Sequence, residues 1–184
     1  MKYSPIVILS CCMSLFIAMP VMAQSRSELS FSIGGGSLDA GTAGGGGTSV
    51  VSLSYQYHIT RHISAEGALD FFNYKFLTGP SENPYVYKDD YAGAEAAVVY
   101  HFRPSRQTGR WLPFVAAGIG KTTTDFTEIA ASPYYRFGAG VAYNFTGKLG
   151  LRFEARDELN RGLWTGGSPN GNLLSLRCGI VYRF

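Results

Sequence analysis

The last twelve residues of the chain, LLSLRCGIVYRF at 173–184, alternate between two kinds of side chain. One row is apolar and consists of Leu174, Leu176, Cys178, Ile180, Tyr182 and Phe184. The other row is more polar and consists of Leu173, Ser175, Arg177, Gly179, Val181 and Arg183. A period of two predicts a β-strand whose two faces meet different surroundings. The remaining sequence indicates which surroundings these are.

Alternating segments of the same kind recur along the chain, and no helical stripe of apolar residues accompanies them after the first 23 residues. Most have about 9–12 residues, close to the length that a tilted strand needs to cross a bilayer. The eight predicted strands are Leu29–Gly35, Val50–His58, Ile63–Tyr74, Tyr91–Phe102, Trp111–Lys121, Pro133–Phe145, Leu149–Leu159 and Leu173–Phe184.

The two faces of these strands differ in charge. One face is free of charge and places aromatic residues near strand ends, which is typical of the girdles at a membrane interface. Cys178 falls on this face, where we expect it to behave as a small apolar residue. The opposite face carries the ionisable residues Glu66, Asp70, Glu95, Arg136, Arg152, Glu154, Arg156, Glu158, Arg177 and Arg183.

Two folds fit this alternation. A soluble β-sandwich would bury the apolar row between two sheets and turn the charges outward. The aromatic strand ends favour the reverse arrangement, with the apolar row in lipid. Open sheet edges do not occur in lipid, so eight strands must close into an antiparallel up-and-down barrel. Its interior is just wide enough to be filled by side chains, and we expect the ten charged residues to form ion pairs there. The sequence does not indicate which acid pairs with which arginine.

The N-terminus predicts export. Lys2 precedes an apolar run that Pro20 interrupts, and Val21-Met22-Ala23 fits a signal-peptidase site. We expect cleavage after Ala23, which leaves residues 24–184 as one barrel domain. A transmembrane anchor fits less well because the run is shorter than the ~20 residues that span a bilayer. Cleavage lowers the formal net charge from +3 to +2, because Lys2 is the only charge removed. Neither nucleic-acid binding nor a disulfide framework is therefore expected, since Cys178 remains alone.

The predicted connections alternate in length, as in a barrel with tight turns on one side and longer loops on the other. Gly36–Ser49, which contains the tetraglycine Gly44–Gly47, and Phe76–Asp90 are predicted as long loops, and so is Asn160–Asn172. Ile59–His62 and 146–148 are predicted as tight turns. Candidate partner-contacting loop residues are Tyr85, Tyr87, Lys88, Asp89, Asp90 and Trp164.

Two local motifs suggest chemistry, but neither is specific. GIGKTT at 118–123 resembles part of a phosphate-binding loop, but Val115 stands where the motif needs its first glycine. No helix is predicted after it, so we expect small residues in a barrel wall. His62-Ile63-Ser64 places a histidine beside a serine, as in lipid A deacylases of the PagL type, which are also eight-stranded barrels. The following Ala65-Glu66 does not match that family. We expect no catalytic residue, no metal site and no cofactor.

The signal peptide, the eight amphipathic strands and the final GIVYRF resemble the small outer-membrane β-barrels of the OmpA transmembrane domain and OmpX. LPFVAAGIGKTTTDF at 112–126 also resembles a strand pattern of that family. The resemblance implies that the barrel assembly machinery recognises Tyr182 and Phe184. We expect no peptidoglycan-binding domain after the barrel, and therefore not the anchoring role of full-length OmpA.

These observations predict an integral protein of the bacterial outer membrane with a non-enzymatic structural or surface-interaction role. Its expected partners are outer-membrane lipid, the assembly machinery and an extracellular ligand bound through the loops. Two alternatives stay open. The barrel could be a narrow channel gated by rearrangement of the ion pairs inside it, or a lipid A-modifying enzyme with polar catalytic residues near the outer rim.

Overall fold

A computed structural model describes residues 26–39, 45–78, 85–104, 108–123, 133–161 and 171–184. Eight antiparallel strands form one closed barrel in which each strand pairs with its neighbours in sequence. The strands are β1 (Ser27–Asp39), β2 (Gly45–His58), β3 (Ile63–Thr78), β4 (Tyr85–His101), β5 (Trp111–Thr123), β6 (Pro133–Asn144), β7 (Leu149–Arg161) and β8 (Gly171–Arg183). Within these ranges no helix is long and apolar enough to cross a membrane. The predicted eight-stranded barrel is confirmed.

The barrel closes between the first and the last strand. β1 and β8 run antiparallel, with Glu28 opposite Arg183 and Asp39 opposite Asn172. The ladder continues past the end of β8, where the Phe184 N–H donates to the Ser27 carbonyl oxygen at 3.1 Å. Closure gives both strands a partner on each side, so neither presents a free edge of N–H and C=O groups to lipid.

Side chains alternate between outside and inside along every strand. The outward row includes large apolar side chains that stay strongly exposed, among them Leu176 at 67% and Ile119 at 62%. Cys178 is also exposed, as predicted. The inward row holds the buried acids and arginines, including Asp70, Arg136 and Glu158 at 0% exposure. A soluble protein has the opposite arrangement, with apolar side chains inside and charged side chains outside. Apolar side chains on the outside are what a lipid-facing barrel requires.

The strands at one end of the barrel are longer than predicted. The loop predicted at Phe76–Asp90 is wrong at both ends, because 76–78 belong to β3 and Tyr85, Tyr87, Lys88, Asp89 and Asp90 belong to β4. The ladder continues there while the outward residues change from apolar to polar, as at Lys75 and Asp90. The apolar alternation therefore ends before the strand does.

A second correction concerns the glycine-rich connection predicted at Gly36–Ser49. β1 extends to Asp39 and β2 begins at Gly45, so Gly45–Gly47 lie in a strand, while Gly44 lies outside the described residues. Glycine has no side chain to report a pattern, yet its backbone pairs in a ladder like any other. Gly36 also needs to be small, because a Cβ there would lie 2.9 Å from the Cα of Ser175 on β8.

The other end of the barrel carries the predicted tight turns. The Thr60 hydroxyl accepts hydrogen bonds from the N–H groups of His62 and Ile63. The Thr146 hydroxyl does the same for Lys148 and Leu149. β1 starts and β8 finishes at this end, which is the periplasmic side in outer-membrane barrels. Phe102 and Phe145, predicted as strand residues, lie one residue beyond β4 and β6.

The outward face of β8 offers a test of the lipid-facing assignment. Leu176 lies six residues from Tyr182, which corresponds to roughly 14 Å along the membrane normal for a strand tilted by about 45°. We expect Leu176→Arg to destabilise the folded barrel by about 2–4 kcal/mol in urea unfolding from lipid vesicles. Asn172→Arg is the matched control on the same face, near the extracellular interface, and should cost about 1 kcal/mol or less. Equal losses would contradict the assignment.

Candidate functional site

The lumen contains all ten charged residues predicted for the inward face, together with one that was not predicted. Arg152 is 11% exposed at its side chain, and the others are less exposed still. The additional residue is Glu28, the second residue of β1 and 7% exposed. The parity of β1 would have identified Glu28, but the strand was predicted to begin one residue later, at Leu29.

Arg136 on β6 and Arg156 on β7 form the centre of the lumen. The guanidinium of Arg136 lies 2.7 Å from Glu66, 2.9 Å from Glu95 and 2.8 Å from Glu154. Arg156 reaches four carboxylates, at 3.1 Å from Asp70, 2.8 Å from Glu95, 3.1 Å from Glu154 and 3.9 Å from Glu66. A guanidinium has five N–H donors in a rigid plane, which suits it to hold several carboxylates at once.

The neighbouring strand positions stay open enough for these contacts. Gly138 lies inside the barrel next to Glu154, and a Cβ at this position would lie 2.7 Å from a carboxylate oxygen of Glu154. The Tyr134 hydroxyl donates to Glu95 at 2.8 Å and satisfies its second oxygen.

Two more arginines extend this centre in opposite directions. Arg177 on β8 binds Asp70 at 2.9 Å and Glu158 at 2.8 Å, toward the extracellular end. Arg152 on β7 binds Glu66 and Glu154 and also donates to the Gln56 side-chain oxygen at 3.2 Å, toward the periplasmic end. The central cluster thus contains five carboxylates (Glu66, Asp70, Glu95, Glu154, Glu158) and four guanidiniums (Arg136, Arg152, Arg156, Arg177).

A second polar cluster lies at the periplasmic end. Glu28 binds Arg183, and its carboxylate lies 2.8 Å from His58 Nε2. His58 Nδ1 lies 2.6 Å from the Ser64 hydroxyl, which lies 3.3 Å from His101 Nε2. His101 Nε2 in turn lies 2.9 Å from the Gln56 amide nitrogen. Because Gln56 contacts Arg152, polar contacts continue without interruption from Arg183 to Glu158.

Apolar side chains close the lumen beyond the central cluster. At the extracellular end a buried group consists of Val50, Phe72, Tyr74, Tyr91 and Leu173. Toward the periplasmic end, Val99 packs with Phe114 and Ala116. Arginines face both groups, with the Arg152 Cζ 4.4 Å from the centre of the Phe114 ring and the Arg177 Cζ 5.7 Å from that of Phe72. The central cluster is therefore covered from both ends.

Glu28, His58 and Ser64 have the order of a carboxylate–imidazole–hydroxyl triad, but they lack the rest of a hydrolase site. Ser64 is 0% exposed, so no substrate reaches its hydroxyl in this structure. Its strand is paired on both sides, with His58 on β2 and Val99 on β4, which engages the local N–H groups that could stabilise an oxyanion. The His62–Ser64 motif that the sequence analysis set aside does not form a contact either, because His62 Nδ1 faces the His101 carbonyl oxygen at 2.8 Å and Ser64 contacts His58.

The remaining candidates for ligand binding are part of the wall or of the ion-pair network. GIGKTT forms part of β5 as far as Thr123, and no helix follows it within the described residues. Asp70, Glu95 and Glu158 place ligand atoms within 4.8 Å of one another, which is close enough to hold a metal ion. Arg156 and Arg177 already occupy oxygens of these carboxylates, so the three residues function as one side of the ion-pair network.

A closed eight-stranded barrel with an apolar exterior and a charged, covered lumen defines an integral β-barrel protein of the outer membrane. The family model for the outer membrane protein beta-barrel domain matches residues 9–184, so the chain belongs to this family. The resemblance drawn from the sequence is confirmed at this level.

Solved structures with the same fold include small barrels of different origin. Neisserial surface protein A is 18% identical, with a TM-score of 0.59, covering 86% of this chain and 97% of its own. Ail, the attachment invasion locus protein of Yersinia pestis, is 14% identical with a TM-score of 0.53, covering 88% and 99%. A de novo designed transmembrane β-barrel is 15% identical with a TM-score of 0.53, covering 88% and 98%. No curated protein matches the chain in sequence.

The charge imbalance of the central cluster leads to a prediction. Arg156→Gln leaves five carboxylates with three guanidiniums, so we expect a loss of about 3–5 kcal/mol or failure to fold. Glu95→Gln leaves four of each and should cost less than half as much. The measurement is urea unfolding in lipid vesicles, followed by the heat-dependent gel shift. A Glu95→Gln variant as unstable as Arg156→Gln would show that the imbalance does not govern the stability of the lumen.

Proposed function

We propose that the protein is a non-enzymatic outer-membrane protein whose barrel holds surface segments in place for contact with molecules outside the cell. The observation that carries this proposal is the lumen, where buried ion pairs and apolar groups at both ends leave no exposed reactive group in the described part of the interior. A site for chemistry or transport would need access to its polar groups, whereas a rigid scaffold needs only that they be paired.

The proposal includes the route by which the protein reaches the outer membrane, through export and then assembly of the barrel. The chain reaches the outer membrane after removal of its first 23 residues, a segment outside the described residues. Tyr182 and Phe184 then serve as the signal for the barrel assembly machinery. Both rings face outward, Tyr182 on β8 and Phe184 one residue beyond it, and they meet edge to face with their centres 5.2 Å apart.

The extended ends of β3 and β4 are the favoured contact surface. β3 has 16 residues and β4 has 17, whereas crossing a bilayer needs about 9–11. We call 73–78 and 85–90 the β3–β4 extension. The outward side chains that the structure describes there, Asn73, Lys75 and Asp90, are polar, and the Asn73 amide donates to Asp90 at 2.7 Å. Lys75 lies directly opposite Lys88 in the register. Two lysines at one pair position favour an anionic partner.

The first test of the scaffold role is conductance. We expect the mature protein, shown to be folded by its gel shift, to give no single-channel openings in a planar bilayer. Discrete openings that change in Glu154→Gln or Arg177→Gln would overturn the proposal and make the lumen a gated ion path. A serine-reactive fluorophosphonate should also leave the protein unlabelled. Labelling that disappears in Ser64→Ala, or an altered lipid A profile in expressing cells, would instead indicate an enzyme.

The β3–β4 extension can be tested with a sulfated saccharide, because Ail has been crystallised with the heparin analogue sucrose octasulfate. We expect reconstituted protein to bind heparin, and the double variant Lys75→Gln, Lys88→Gln to bind it at least about tenfold more weakly, since one charged hydrogen bond contributes about 1.5–3 kcal/mol. Lys121→Gln, an exposed lysine on β5 outside the extension, is the matched control and should bind normally. Binding that the double variant leaves unchanged would exclude the extension as the contact surface.

A further inference from the structure

Basic residues collect at the periplasmic end of the barrel, although they are scattered in the sequence. Five exposed side chains form what we call the basic rim: Arg26, Arg61, Arg103, Arg110 and Lys148. They come from the segment before β1 and from the connections β2–β3, β4–β5 and β6–β7. Among the described residues these five cations have no ion-pair partner. Glu28, an acidic side chain at this end of the barrel, is buried and bound by Arg183 and His58.

The opposite end of the barrel does not share this bias. Its outward charged side chains in the described part of the chain are mixed in sign, with Lys75 and Lys121 against Asp90 and Asp157. The basic rim is therefore a property of one end of the molecule. A carboxylate at Phe184 would offset one of its five charges and leave the sign unchanged.

Aromatic side chains lie between the basic rim and the apolar band. Seven of them face outward with 41–57% exposure: Tyr57, Tyr100, Phe102, Trp111, Phe145, Tyr182 and Phe184. In the sequence, Arg103 follows Phe102 directly and Arg110 precedes Trp111. The order along the barrel axis is thus apolar, aromatic, cationic. A bilayer leaflet has the matching order of acyl chains, interfacial carbonyls and phosphates.

We propose that the basic rim binds the phosphate groups of anionic phospholipids in the periplasmic leaflet of the outer membrane. The charge complementarity and the adjacent aromatic girdle select a lipid headgroup over a soluble partner, because a rim at this height meets headgroups on every side of the barrel. The interaction enriches anionic lipid next to the barrel and fixes the depth of its turns. It depends on the placement of the barrel in the membrane and does not depend on the proposed surface role.

Trp111 provides a built-in probe, because it lies on the girdle beside Arg110 and is 53% exposed. In a Trp164→Phe background it is the one remaining tryptophan of the chain. The protein is reconstituted in phosphatidylcholine vesicles containing either brominated phosphatidylglycerol or brominated phosphatidylcholine at equal mole fraction. We expect the anionic lipid to be enriched around Trp111 by roughly fivefold, and the excess quenching to fall at high salt.

The variants separate the basic rim from general charge effects. We expect the enrichment to disappear, to a ratio of about 1, in the triple variant Arg103→Gln, Arg110→Gln, Lys148→Gln. The control variant Lys75→Gln, Lys121→Gln, at the other end, should retain it. Equal quenching by the two lipids, in protein that keeps all five rim cations, would overturn the proposal. Co-sedimentation with purified peptidoglycan in the absence of any lipid preference would also overturn it, and would assign the rim to an anionic polymer.

Discussion

The requirement that no backbone N–H or C=O group face lipid unpaired determines the rest of this structure. It forces β8 onto β1, and eight strands closed in this way leave a lumen of fixed, small width. Because lipid takes the apolar row, the charged row has only the lumen to occupy. The ion-pair network, its apolar covers and the small residues beside it are all consequences of that one closure.

A narrow lumen makes pairing obligatory but does not by itself make the barrel more stable. Removing an arginine and a carboxylate from water is expensive, and their attraction in the interior compensates for that only with good geometry. Arg156 achieves this geometry by contacting four carboxylates at once. An ion pair on the surface does not need so many partners, because water solvates its charges. Such a network ties together side chains of several strands, because Arg156 on β7 contacts Asp70 on β3 and Glu95 on β4. We regard specificity of packing as the main contribution of these charges.

The sequence predicted the strands and the faces because a period of two survives in every membrane-crossing segment. It did not predict partners across the lumen, because those depend on register and closure. Arg156 on β7 meets Glu95 on β4, three strands away around the wall, and no spacing in the sequence reports that contact. Nor did the sequence predict that Ser64 contacts His58, which lies opposite it in the ladder between β2 and β3, while His62 in the turn faces the His101 carbonyl oxygen. The long extensions of β3 and β4 were missed because the apolar alternation stops where lipid stops.

The barrel wall by itself gives little information about function. A de novo designed transmembrane barrel shares this fold, so an eight-stranded wall meets the conditions for residence in a membrane and does not by itself specify a biological role. Information particular to this protein has to lie where those conditions are relaxed, at the two ends. At the extracellular end the ladder outlasts the membrane and presents Lys75 opposite Lys88. At the periplasmic end, five cations from separate parts of the chain meet on one rim that closure alone brings together. The two ends differ in charge, so each end can bind a different class of partner, whereas the wall between them has the same apolar exterior throughout.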